Sequence, residues 1–205
     1  MSRFECIESF HLPLNDIEGV PSEYLKDSVW DSPEFACKEL SENERLDLLN
    51  NIERVQAGLQ RREPLTVELE DLPKEALGYQ DEYNKKIVLN RSCVMTDHPY
   101  YHRQTIDTVV HEGRHAYQHY NVEVRTVHES DAEVASWREN FFNPEYGYYQ
   151  SRGQKIYIPL GNGGFQEMAD FRLYRYQPVE IDARNFATDV ISKLDKKGLF
   201  VSSNK

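Results

Sequence analysis

The pentapeptide His111-Glu112-Gly113-Arg114-His115 constrains this chain more than any other feature. Two histidines four residues apart share a face only on a helix, one turn above the other. So arranged, both imidazoles can reach one cation at about 2.0–2.1 Å. Glu112 points about 100° further round the helix, beside that cation, where it can take a proton from a polarised water. The flanking residues agree with a helix: Ile106, Val109 and Val110 recur at helical spacing, Ala116 extends the stripe, and no Pro or Gly breaks 103–110. Gly113 is the one weak helix former. Such a Gly costs about 1 kcal/mol relative to Ala, and is tolerated where a backbone passes close to another element. The bland alternative is an exposed helical face that happens to carry two histidines.

A catalytic zinc takes three protein ligands and keeps one position open. An H-E-x-x-H-x-x-G-x-x-H extension would need Gly at 118 and His at 121, where this chain has Gln118 and Asn121. His119 lies one further turn along, too far on a straight helix to share one tetrahedral ion, and reads as a polar helix-end residue. His128 sits in a polar stretch without a supporting pattern. Two acidic clusters remain. Glu129-Ser130-Asp131-Ala132-Glu133 contains a capping-box pattern, Ser130 with Glu133, which explains it as a helix start. In the segment from Gln177 to Ala187, Pro178 occupies a first helical position. There Val179, Ala183, Phe186, Ala187, Val190 and Ile191 form a core-facing stripe. Glu180 stands at the border of that stripe, able to face the motif helix while its own helix stays packed. Its other reading is a favourable charge at a helix N-terminus, worth roughly 0.3–1 kcal/mol. The ligand reading of Glu180 is the stronger one.

His111-Glu112-x-x-His115, followed by a helix bearing Glu180-x-Asp182-Ala183-x-x-Phe186-Ala187, resembles the gluzincin pattern. The resemblance spans roughly residues 65 to 195. It implies an α+β, zincin-like fold: an active-site helix beside a small, mostly antiparallel sheet, and a second helix supplying the third ligand to Zn²⁺. The run from Gly78 to Asn90 is similar to the hairpin preceding the active-site helix in compact members, the minigluzincins. By that resemblance Ile87-Val88-Leu89 is the edge strand beside a substrate cleft. The stretch 143–176 is longer than in those members. They include bacterial regulatory proteases and metallopeptidase domains of polymorphic toxins, so the resemblance implies peptide-bond hydrolysis in one of those settings.

Other readings concern residues near the motif. Tyr146, Tyr148, Tyr149, Tyr157, Tyr174 and Tyr176 lie between the two proposed ligand helices. Tyr174 and Tyr176, close to Glu180, are candidates to hydrogen-bond a developing oxyanion, against the commoner role of half-buried packing. Asp182 is a candidate outer partner for a ligating histidine, against an ion pair with Arg184 or Arg175. Arg114 reads as a solvated helix charge, with a reach back to a carboxylate as the alternative.

Charge and composition exclude several classes. The 24 basic and 35 acidic residues give a formal charge of −11, which repels nucleic acid and anionic lipid and leaves a peptide or protein as the expected substrate. No window approaches the roughly 20 apolar residues of a membrane span. The start, Met1 to Cys6, lacks the pattern of a signal peptide. A cytoplasmic protein, or an effector delivered without that signal, is expected. Cys6, Cys37 and Cys93 are odd in number and widely spaced, so reduced thiols are expected. Two rivals to the hydrolase stand: a non-catalytic binding or immunity-type protein on the same scaffold, and a zinc amidase acting on a non-protein amide. The oligomeric state is left open.

The chain divides into an irregular arm over 1–40, a domain over 41–197 and a polar tail over 198–205. Tyr24, Trp30 and Phe35 are the arm's docking candidates. Ser41-x-x-Glu44 opens a helix to about Gln60, with Leu48, Leu49, Ile52, Val55 and Leu59 as its stripe. Leu65–Glu70 alternates like a half-buried strand. Further helices are expected over the motif to about His119, over 129–142 and from Pro178. Residues 143–165, rich in Gly and Pro, read as a loop or hairpin insertion.

Overall fold

The computed structural model describes residues 40–73, 76–96, 98–142, 150–152, 155–159, 165–168 and 175–196. The arm with Tyr24, Trp30 and Phe35, the residues Cys6 and Cys37, and the tail lie outside them. The described residues form an α+β structure of five α-helices, one π-helical turn and two three-stranded sheets.

Helix α1 (Glu42–Leu59) starts where its capping box lies. Glu44 N–H donates to Ser41 Oγ at 3.4 Å, and Ser41 N–H donates to the Glu44 carboxylate at 2.8 Å. Its inner face buries Leu49 and Ile52, but also Arg45, Glu53 and Gln56, which hydrophobic periodicity alone does not mark.

Strands β1 (Thr66–Glu70), β2 (Gly78–Asp81) and β3 (Lys86–Asn90) form a sheet in the order β1-β3-β2. A short turn forces β2 and β3 antiparallel. Asp81 Oδ1 accepts from Asn84 N–H at 3.0 Å in this turn, and Lys85 adopts a left-handed φ of 54°. β1 joins the far side of β3 in parallel register. The sheet beside the motif helix is therefore mixed, which corrects the expected mostly antiparallel one. Ile87, Val88 and Leu89 are correspondingly central, not an edge. All three are almost fully buried; a continuous apolar run is what a strand covered on both faces requires. Asn90 secures the β1–β2 crossover. Its Nδ2 donates to the carbonyls of Leu72, Pro73 and Ala76, while its Oδ1 caps helix α2 (Arg91–Val94).

Helix α3 (Pro99–His119) carries the motif and begins with Pro99 in its first turn. Ile106, Val109 and Val110 enter the main core with Leu49, Ile52, Val67, Ile87 and Leu89. A π-helical turn (Tyr120–Val124) extends α3, and α4 (Asp131–Phe142) follows. Strands β4 (Gln150–Arg152), β5 (Lys155–Pro159) and β6 (Phe165–Met168) make the antiparallel second sheet, which begins in the expected insertion and runs past its predicted end at 165. Helix α5 (Pro178–Lys196) begins at the predicted proline and packs along α3. Both helices bury small side chains, Ala183 and Ala187 on one and Ala116 on the other, and alanine lets helix backbones come close. Among the described residues no helix is long and apolar enough to cross a membrane.

Candidate metal centre

The packing of α5 on α3 carries Glu180 to the two motif histidines. His115 Nε2 and His111 Nε2 are 3.1 Å apart. Glu180 Oε1 lies 3.3 Å from His115 Nε2, and Oε2 lies 3.4 Å from His111 Nε2. Ligand atoms about 2.0–2.1 Å from a tetrahedral zinc are separated by about 3.3–3.4 Å. The three donors thus already stand at near-ligand spacing. His115 and Glu180 are buried, and His111 is half-buried.

Two observations test whether a cation fits. Glu180 Oε1 is sealed from solvent without a hydrogen-bond partner: His115 Nε2 is close enough but not aligned. A buried carboxylate oxygen left unpaired is costly, and a cation satisfies it. The donor set, two imidazoles and one carboxylate, is also a zinc ligand class. Burial pushes the Glu180 carboxyl up, but the His115 charge and the close approach of both imidazoles outweigh it and hold it well below the usual carboxylate range. Burial likewise pushes His115 down, but the Glu180 charge dominates and raises it to about 9. His115 and Glu180 are thus shifted in opposite directions by each other's charge.

Outer contacts fix the orientation of His115. Gln118, one turn on and fully buried, donates both N–H bonds of its amide, to Val179 O at 2.9 Å and to Asp182 Oδ2 at 2.6 Å. Its Oε1 is left to face His115 Nδ1 at 2.8 Å, so Nδ1 must be the donor. The Nε2 lone pair of the neutral ring is then directed at the site. Asp182 is anchored in turn by Arg114, whose Nε and Nη2 donate to it at 2.8 and 2.9 Å. Asp182 thus touches no histidine and acts through Gln118, which sequence reasoning passed over.

Arg114 departs from its expected role as a solvated charge. It is buried, and its guanidinium stacks over Tyr117, Trp137 and Phe186 at 4.5, 5.4 and 4.8 Å. Helices α4 and α5 exclude water where the isolated helix would have admitted it. Asn140 of α4 completes the support: its Oδ1 accepts from Val179 N–H at the start of α5, one residue before Glu180.

From behind, a second buried assembly holds the motif. Arg62 pairs with Glu53 at 2.6 and 3.0 Å and donates to Gly113 O at 2.8 Å. Gln56 donates to Val110 O at 2.9 Å. A Cβ at Gly113 would lie 2.6 Å from Glu53 Oε2 and 2.7 Å from Gln56 Nε2. The close approach expected at this glycine is present, and its cause is polar.

The other described sequence candidates, Glu112 on the motif helix itself among them, are not part of the three-donor group. Glu112 is half-buried, and its charge contributes to raising His115. His128 bonds to Tyr117 Oη and Glu133. Glu133 N–H donates to Ser130 Oγ at 3.3 Å, so that acidic cluster starts a helix as expected. Tyr176 is 70% exposed, and Tyr174 lies outside the described residues. Arg184 approaches Glu180 Oε2 at 3.8 Å and bonds to the Arg175 carbonyl, while Asp182 pairs with Arg114. Cys93 is a buried free thiol. Comparison with family models, curated proteins and solved structures gives no match.

Proposed function

We propose that this chain is a zinc-dependent metallopeptidase on a zincin-like scaffold, with His111, His115 and Glu180 as ligands and Glu112 as general base. The observation that carries this reading is the buried donor triangle, whose edges approach zinc-ligand spacing and whose Glu180 Oε1 has no other hydrogen-bond partner. A zinc ion held there supplies Lewis acidity, polarising a carbonyl and making water acidic near neutral pH.

The chain's own residues do the rest. Gln118 keeps a proton on His115 Nδ1 and the Nε2 lone pair free. Glu112, on the same helix turn and half-buried, takes the proton of the water that attacks the scissile carbonyl. It then delivers that proton to the leaving amine as the C–N bond breaks, so the products are a free carboxylate and a free amine. A substrate of the peptide class suits the −11 charge, which disfavours polyanions.

Zinc content of the purified protein and turnover of peptide substrates by Glu112→Gln test the proposal. Wild type is expected to hold zinc and cleave, and the variant to hold zinc without cleaving. Proteolysis retained by Glu112→Gln would overturn the assignment, as would a wild type unable to take up micromolar zinc. Zinc held by a wild type that cleaves no peptide would favour the binding-protein or amidase alternatives.

A further inference from the structure

Among the described residues, one other group of histidine and carboxylate side chains brings its donor atoms within 4.8 Å of one another: Glu82, His119 and Glu123. We infer that these three residues form a second divalent-cation site, separate from His111, His115 and Glu180, joining the β2–β3 turn to the C-terminal end of α3.

Three observations support it. His119 Nδ1 is sealed from solvent and has no hydrogen-bond partner. Its ring is stacked on Phe141 at 4.1 Å with 19° between planes, which fixes the direction in which the ring nitrogens point. A buried nitrogen left without a partner loses its hydration with nothing in return. The nearest carboxylate oxygen, Glu123 Oε1, lies 3.6 Å away. That is too long for a hydrogen bond but close to the about 3.3–3.4 Å separation of two ligands on one ion.

Glu123 is held there by local structure. It belongs to the π-helical turn, a rare form found frequently at functional sites. Asn121 fixes that turn: its Oδ1 accepts from Val127 N–H and His128 N–H, both at 2.7 Å. Glu82 reaches the cluster from the turn after β2. It also accepts from Gln80 at 2.6 Å and from Lys85. An ionised carboxylate has about four lone-pair positions, so the Gln80 bond orients Glu82, and the exposed Lys85 ammonium is the charge a cation would have to displace.

The imidazole donor favours a first-row divalent ion such as zinc over calcium or magnesium. The glutamates are 34% and 40% exposed, so water completes the shell. An ion bound here would fix the β2–β3 turn against the helix that bears the first site. The inference does not depend on the proposed peptidase activity.

The test is calorimetric titration of the metal-free full chain with zinc, in competition with a chelator. Wild type is expected to bind two equivalents. His115→Ala should retain one of them, and Glu123→Gln should retain the other. Glu82→Gln should weaken the second equivalent by more than the roughly tenfold lost with an outer partner. Glu123 and Glu82 are the variants of choice because His119 is packed on Phe141. A single equivalent abolished by His115→Ala would overturn the second site. So would a second equivalent undiminished in both glutamate variants. Binding unaffected by His115→Ala but lost in Glu123→Gln would support this site while removing the metal on which the peptidase reading rests.

Discussion

His115 is the residue on which the candidate centre turns, and its protonation links zinc to pH. Its folded pKa is raised from 6.5 to about 9, so its pairing stabilises the metal-free fold fully below about 6.5 and is lost as pH rises through 9. Glu180 is shifted the other way, so its contribution is present above its ordinary 4.5 and is lost as pH falls. Together they favour the metal-free fold most between about 4.5 and 6.5. Zinc must displace the His115 proton. Its apparent affinity should therefore climb with pH, by up to about tenfold per unit, and flatten near 9. Chelator competition across that range checks the slope, and a flat profile would contradict the raised pKa. Gln118 is the second test at this scale. Gln118→Leu removes the acceptor for His115 Nδ1, and zinc affinity should drop about 10–100-fold. Unchanged affinity would mean the Gln118–Asp182–Arg114 chain serves packing alone.

Among the elements, α3 is gripped on two sides, by α5 at the face bearing His111 and His115 and by α1 behind Gly113. Gly113→Ala should improve helix propensity by about 1 kcal/mol yet drive a methyl into Glu53 and Gln56, costing about 1–3 kcal/mol. A net loss in urea unfolding is expected; a stabilised variant would show that the polar cluster yields easily. Arg62→Leu leaves Glu53 charged and unpaired in the core. It should destabilise by about 3–5 kcal/mol, measured as a lowered urea midpoint. Helix starts at Ser41 and Pro178 were readable because capping and proline chemistry act within one turn. Strand order was not. The alternation in Leu65–Glu70 marks a strand but cannot say which neighbour it takes, and the buried run Ile87–Leu89 signals a central position only once both faces are known to be covered. The inward Arg45, Glu53 and Gln56 were equally hidden, since each looks solvent-facing until its partner arrives from elsewhere.

At the scale of the whole molecule, a ligand that binds only the folded chain stabilises it by mass action. Free zinc at about 100 times its dissociation constant should add about 2.7 kcal/mol, seen as a rise in thermal midpoint that His115→Ala reduces. No shift in wild type would remove the metal from the proposal. What the chain's letters determine alone is local: the four-residue step from His111 to His115 puts two imidazoles on one helix face wherever that helix lies, and the border position of Glu180 leaves it able to turn toward them. Tertiary structure decided the rest, because those interactions join groups far apart in sequence. Arg114 and Asp182 are separated by 68 positions and Arg62 and Gly113 by 51. Whether such side chains face water or one another depends on which helices close over them, and periodicity within a single helix carries no record of that.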